Sequence, residues 1–274
     1  MADNGRGTTK DQDYYDNLAA ELTRSARHAM RAFDFPGEAI PDEFLKPDRA
    51  KGVPAPSLEK DAPANAVRVA LAPVDDLDLG QMPLVDTLKR RRSRRAFTLE
   101  ALTQAELAFL CWSVAGVHRL GPDNQWSMRS APSGGARHPF ETYLIVERVE
   151  GLDPGIYRYS GLRHDLVQVR AGAGICSQLG EEALQAFVKS AAVLFVWTAV
   201  PYRNEWKYMF TGAKQMAMDL GHYCQNLYLA AESIGAGTCA IAAYRQELLD
   251  EALGVDGEDE FTMYVAPVGK VDST

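Results

Sequence analysis

A single long helix limits the fold more than any other feature. Residues 211–234 read as one helix, with Met216, Leu220, Tyr223, Leu227, Ala230 and Ile234 stepping by three and four. Gly235 and Gly237 stop it. Ala213, Ala217, Gly221 and Ala231 put small residues on its other faces, the pattern of a helix covered on most sides. Such a helix needs a layer of other elements around it.

The chain supplies strands for that layer. Residues 141–149 alternate and are rich in β-formers. Residues 155–159 and 165–169 read as a hairpin, 193–200 as a buried strand, and 261–268 as a final strand. Residues 84–90 and 246–253 are short helices. Thr103 and Glu106 form a capping box for a helix with Leu107, Leu110, Cys111 and Val114 on one face, ended by Gly116. Helices around one modest sheet with hairpin connections make the class α+β, with a central, mostly antiparallel sheet.

The first 82 residues are different. They hold seven of the 14 prolines. Only residues 14–33 read as a helix, with Tyr15, Leu18, Leu22 and Ala26 at helical spacing. The rest is expected to be an extended arm that needs a surface to lie on. The expected division is therefore 1–82, helix and Pro-rich arm, and 83–274, the folded domain.

Net charge is −8, which argues against a general nucleic-acid binder. Cys111, Cys176, Cys224 and Cys239 show no metal-ligand spacing and read as small apolar residues in a reducing compartment. No signal region opens the chain, and the most apolar window, 191–200, is too short for a bilayer. A cytoplasmic protein with no membrane or nucleic-acid partner and no metal is the expectation.

Two segments carry candidate chemistry. Arg90, Arg91, Arg92, Arg94 and Arg95 surround Ser93. A solvated patch, a localisation signal or a nucleic-acid contact each account for such a run. Against these, apolar residues flank it closely: Leu84, Val85 and Leu88 before, Phe97 and Leu99 after. Arginine forks bidentately onto phosphate oxygens. In an extended chain Arg91, Ser93 and Arg95 share one side and can hold a phosphate dianion, while Arg90 and Arg94 face water. The second segment is Pro132-Ser133-Gly134-Gly135-Ala136-Arg137-His138-Pro139, just before the strand at 141. Adjacent glycines let the backbone approach a flat ligand, and the Ser133 hydroxyl and backbone amides are donors for ring carbonyls. A plain loop is the alternative. Gly235-Ala236-Gly237 is no dinucleotide fingerprint, because it follows a helix and lacks the third glycine.

Together these segments resemble the nitroreductase superfamily, and more closely its SagB-type dehydrogenase branch. The resemblance rests on residues 91–95, on 132–139, on Gly155-Ile156-Tyr157-Arg158-Tyr159, and on Asp219, Gly221, His222, Gln225, Asn226 and Leu227 followed by the glycines at 235 and 237. It covers residues 84–270. It implies an α+β homodimer with FMN at the subunit interface. Arg91, Ser93 and Arg95, with Arg92 beside them, would contact phosphate, ribityl and pyrimidine edge. Pro132, Ser133, Gly134 and Gly135 would come from the other subunit. Ala240, Ile241, Ala242 and Ala243 would run along the flavin through backbone groups, and Lys270 stands where small nitroreductases often place a further basic ligand. Arg95 would stabilise the reduced flavin near N1. Lys207 and Tyr208 stand where the branch's azoline-oxidising members carry a Lys-Tyr pair assisting proton removal; a solvated lysine and a packing tyrosine are the alternative. The expected activity is FMN-dependent oxidation of a peptide thiazoline or oxazoline, with NAD(P)H-dependent reduction of nitro or quinone compounds and a non-catalytic flavin protein as alternatives. His138 is expected to shape the flavin loop and His222 to be a satisfied core group.

Overall fold

The computed structural model describes residues 9–31 and 46–272. Its frame is a seven-stranded sheet in the order β1-β6-β5-β4-β7-β9-β8, antiparallel at every pairing. The strands are β1 (Arg68–Ala70), β4 (Phe140–Val146), β5 (Gly155–Ser160), β6 (Asp165–Ala171), β7 (Val193–Ala199), β8 (Ala236–Thr238) and β9 (Phe261–Lys270). A separate hairpin pairs β2 (Val117–Leu120) with β3 (Ser127–Arg129).

The central strands β4 and β7 are buried at every position. Their period-two alternation sorts side chains between two cores. Phe140, Leu144 and Val146 with Val193, Phe195 and Trp197 face α3 (Gln104–Ala115) and α6 (Gly212–Ser233). Tyr143 and Ile145 with Leu194 and Val196 face α4 (Ile175–Glu182) and α7 (Gln246–Leu253). Cover on both faces is why these strands read as unbroken apolar runs. The result is an α+β arrangement: one antiparallel sheet between helical layers. The capping box of α3 is formed as expected, Thr103 taking the Glu106 N–H and Glu106 the Thr103 N–H. Among the described residues no helix is long and apolar enough to cross a membrane.

The helix α6 is less enclosed than its sequence implies. Met216, Asp219, Leu220, Tyr223, Cys224, Leu227 and Ala231 are buried. Ala213, Ala217, Met218, Gly221, His222 and Gln225 are exposed, so His222 is not a core histidine. The small residues make a largely bare face, because among the described residues little beyond Met30 lies against it. The helix α2 (Leu84–Arg90) likewise exposes Leu84, Val85 and Leu88.

The stretch from residue 46 to 82 is laid on its own chain rather than set apart. It adds β1 to the sheet edge, where the Arg68 guanidinium grips Asp165. Leu58 and Glu59 are buried. Proline lacks an N–H but keeps its carbonyl, so a Pro-rich strand is a row of acceptors. The carbonyls of Val53, Pro56 and Asp61 accept from Trp206, Arg137 and Arg158. The helix α1 (Thr9–Met30) begins earlier than the sequence implies and leaves Tyr15, Leu18 and Leu22 exposed. Residues 32–33, also read as helical, lie outside the described residues.

One buried carboxylate ties these parts together. Glu141 accepts from Arg158 on β5 at 2.9 Å, from Arg203 on α5 (Tyr202–Tyr208) at 2.5 Å and from the Lys60 backbone at 2.6 Å. Burial pushes its carboxyl up, and Arg203 and Arg158 more than reverse that, leaving it below the ordinary value. Glu141→Ala leaves two guanidiniums buried without their acceptor. It should cost about 3–5 kcal/mol, read as a lower urea midpoint; a loss under about 1 kcal/mol would show the pair to be no more than a surface contact.

Candidate functional site

The loop at 132–139 is held in an unusual backbone path. Gly135 has φ +63°, and Ala136 and His138 follow at +54° and +45°. Only glycine takes that region freely, and strain of this kind persists where surroundings over-determine it. Those surroundings can be named. Ser133 Oγ donates to Asp219 Oδ2 at 2.7 Å, the Gly134 N–H donates to the same oxygen at 2.9 Å, and Ser133 Oγ accepts the His138 N–H. Burial raises the Asp219 carboxyl, against these hydrogen bonds.

His138 is buried and its tautomer follows from its partners. A carbonyl only accepts, so Nε2 carries the proton donated to Ser127 O at 3.0 Å, and Nδ1 accepts from Tyr223 at 2.8 Å. Burial, with Arg129 close by, lowers the imidazole to about 3. Burial also pushes the Tyr223 phenol up to about 12. The histidine therefore shapes the loop as a neutral strut.

Arg137 is the loop's anchor. Its Nε donates to Arg203 O at 2.8 Å, Nη2 to Pro56 O at 3.1 Å and Nη1 to Gln125 O. The guanidinium lies over Trp206, 5.0 Å from the ring centroid. This sets α5 against the loop. A Cβ built on Gly135 would come within 2.5 Å of both Lys207 Nζ and Tyr208 Oη. The two sequence-predicted catalytic side chains thus lie directly on the predicted flavin loop. Lys207 Nζ stands over the Tyr208 ring at 5.0 Å. Both are half-buried, and the next residue, Met209, is itself strained at φ +52°.

The basic segment is built separately. After α2 the chain runs extended beside β8, with a parallel bridge from Ser93 to Thr238 and the Arg94 N–H on Thr238 O. Arg91 lies over the Tyr228 ring at 5.2 Å, and Ser93 Oγ is 3.1 Å from the Tyr228 hydroxyl, so both face α6. Arg94 does not face water as expected. It packs across Gly237, where a Cβ would clash at 2.6 Å, and its Nε is buried without a partner. Arg90 pairs with Glu232. Arg91, Arg92, Arg94 and Arg95 make no ion pair with an acid among the described residues, so their charge is uncompensated.

Tyr228 also accepts the Ala240 N–H at 2.9 Å, which brings the start of the 240–243 segment to Ser93. Ile241 is fixed by a bridge to Val265, while Ala242 and Ala243 are exposed. Lys270 is elsewhere engaged. Its ammonium is bound to Glu106, the capping-box residue of α3.

The predicted residues therefore form two groups, both organised by α6. Asp219 holds the 132–135 side and Tyr228 the 91–93 and 240 side. Nine positions separate them, about 13 Å of axis and two and a half turns, which puts them on opposite sides of the helix. No hydrogen bond joins the groups among the described residues. Sequence reading quoted Asp219 without a role and passed over Tyr228, Tyr223 and Arg137 as organisers. Tyr228 offered a signal, a polar-tipped aromatic one position after an apolar core residue.

Comparison with known proteins settles the class. The Nitroreductase family model matches residues 88–270. A Methanocaldococcus jannaschii protein bearing a nitroreductase name is 30% identical over 194 residues, 70% of this chain and 93% of that one. The trifolitoxin-processing protein TfxB of Rhizobium leguminosarum bv. trifolii is 26% identical over 141 residues, 47% of this chain and 36% of that protein. A crystal structure from Ralstonia eutropha JMP134, described as a nitroreductase, has a TM-score of 0.63 at 27% identity, covering 81% of this chain and 100% of that one. The chain belongs to the nitroreductase family and is an oxidoreductase.

The His138 arrangement sets a pH dependence. An unfolded chain protonates the imidazole below 6.5, the folded protein only near 3. The contribution is whole above 6.5 and is lost as pH falls from there toward 3, about 2 kcal/mol by pH 5. Urea unfolding at pH 7 and pH 5 should show His138→Gln losing that much less than the wild type. An equal loss in both would mean the histidine titrates normally.

Proposed function

We propose that this protein binds FMN between two copies of the chain and dehydrogenates a five-membered ring in a modified peptide, turning a thiazoline or oxazoline into the azole, as SagB-type dehydrogenases do. The observation that carries this reading is the seating of Lys207 and Tyr208 on Gly135 of the flavin loop. TfxB, whose name assigns it to the processing of a toxin, supports a peptide substrate.

The residues fit the cofactor. Arg91, Arg92 and Arg95 lack acidic partners among the described residues, which suits a phosphate dianion. Ser93 is exposed for a further hydrogen bond. Pro132, Ser133, Gly134 and Gly135 of a second copy complete the site, with Ala240, Ile241, Ala242 and Ala243 along the ring. Lys270 is left out because Glu106 holds it. Opposed placement of Asp219 and Tyr228 on α6 is what calls for the second copy. The bare face at Ala217 and Gly221, and the exposed Leu84, Val85 and Leu88, give that copy an apolar surface to cover. The 1–82 segment serves as helix and arm, part of it fastened to the 83–274 domain through Val53, Pro56 and Asp61.

Bound FMN would supply the hydride acceptor. The chain's part is the proton. Lys207 Nζ takes it from the ring carbon of the substrate, so the ring loses a hydride and a proton together, two electrons in all. Tyr208 holds the amine in place against Gly135. The expected result is that Lys207→Ala keeps its FMN and loses azoline oxidation by about a hundredfold or more, followed by mass spectrometry of the peptide. Unchanged turnover would remove Lys207 from the chemistry.

A second reading is favoured by the nitroreductase name of the archaeal relative: reduction of nitro or quinone compounds at the expense of NAD(P)H. It predicts flavin bleaching by NAD(P)H and turnover that survives Lys207→Ala.

A further inference from the structure

Tyr228 joins two segments distant in sequence. Its hydroxyl lies between two segments 147 positions apart: 3.1 Å from Ser93 Oγ and 2.9 Å from the Ala240 N–H. Arg91 covers its ring at 5.2 Å. These are the segments that would form the phosphate-ribityl wall and the start of the ring wall.

The Tyr228–Ser93 hydrogen bond can run either way, and what the site must hold decides its direction. An N–H can only donate, so the Tyr228 oxygen accepts from Ala240. The phenol has one proton of its own, and Ser93 Oγ is the acceptor within reach. With Tyr228 donating, the Ser93 hydroxyl proton is not used inside the protein. Ser93 is exposed, so that proton points to whatever occupies the site. Were Ser93 to donate to Tyr228 instead, Ser93 would offer a ligand only lone pairs, and the acceptor-only oxygens of a phosphate would be met by repulsion.

We infer that Tyr228 is the positioning residue of the cofactor site: it spaces the Ser93 and Ala240 segments and orients the Ser93 hydroxyl as a donor toward FMN. The inference rests on the FMN reading above. It concerns a residue two and a half turns of helix from Asp219, which holds the loop against which Lys207 and Tyr208 lie, so it acts on cofactor affinity and not on the proton step.

The test is a double-mutant cycle on the full chain, stripped of flavin and titrated with FMN by fluorescence quenching. Tyr228→Phe and Ser93→Ala should each weaken FMN binding about tenfold, with melting temperatures near wild type. The double variant should be weakened well short of a hundredfold, because one change already removes what the other would. Tyr228→Phe with wild-type affinity, or strictly additive effects, overturns the inference. Wild-type protein that binds no FMN overturns the functional reading itself, a distinct outcome. If Tyr228→Phe does not fold, 3-fluorotyrosine at position 228 replaces it. Its more acidic phenol is a stronger donor, so it should change FMN affinity in the Ser93 background and not in Ser93→Ala. An equal change in both backgrounds overturns the inference as well.

Discussion

A guanidinium buried without a carboxylate beside it has to find carbonyls, and Arg137 finds them on three separate segments. It takes Pro56 from the arm, Gln125 from the β2–β3 hairpin and Arg203 from α5, with the Trp206 ring on its face. Burial holds its proton less tightly than in water, at about 10, with Arg203 and Arg49 adding to the effect. The charge survives because each donor has its own acceptor. What depends on it is the relation between the loop at 132–139 and α5. That relation alone sets Lys207 and Tyr208 on Gly135.

The other half of the site depends on α6 as a ruler. The helix carries Asp219 and Tyr228 on opposite sides, and each gathers segments distant in sequence. A rigid helix cannot bend them toward one ligand. In the proposed dimer two such helices facing each other across a dyad would do so, since each would offer its Asp219 side to one site and its Tyr228 side to the other. The small residues of the bare face suit this, because Ala213, Ala217 and Gly221 permit close helix approach. In the proposed dimer the second copy would cover the part of this helix that one chain leaves exposed.

Much of this was legible in sequence because it is local. The capping box at Thr103, the hairpin of β5 and β6 and the run of α6 depend on neighbouring residues, and the structure shows them at nearly the expected bounds. The elements that were not legible are those set by distant partners. The strand β8 is Ala-Gly-Thr, which reads as a helix stop and becomes a strand only because β9 lies beside it. The strand β1 lies inside a Pro-rich stretch and exists through Arg68 and Asp165. Lys270 sits at the expected place in the chain, yet it is claimed by Glu106, a partner 164 positions away. Arg94 reads as a solvated arginine in the sequence, and it is Gly237, 143 positions away, that makes room for it to pack. The resemblance implies only that Lys207 and Tyr208 stand near a flavin, and in the fold it is Arg137 and Trp206 that bring them to the loop.

The central claim is that each cofactor site takes one group from each of two chains, and complementation measures it. A chain carrying Ser93→Ala with Arg95→Ala lacks one group; a chain carrying Gly135→Val lacks the other, since a branched side chain there meets both φ +63° and Lys207. Each alone should purify without FMN. Coexpressed, they should recover FMN in about a quarter of sites, the share that random pairing into mixed dimers makes whole. No recovery in mixed dimers whose assembly is verified would contradict the account and place both groups of each site on one chain.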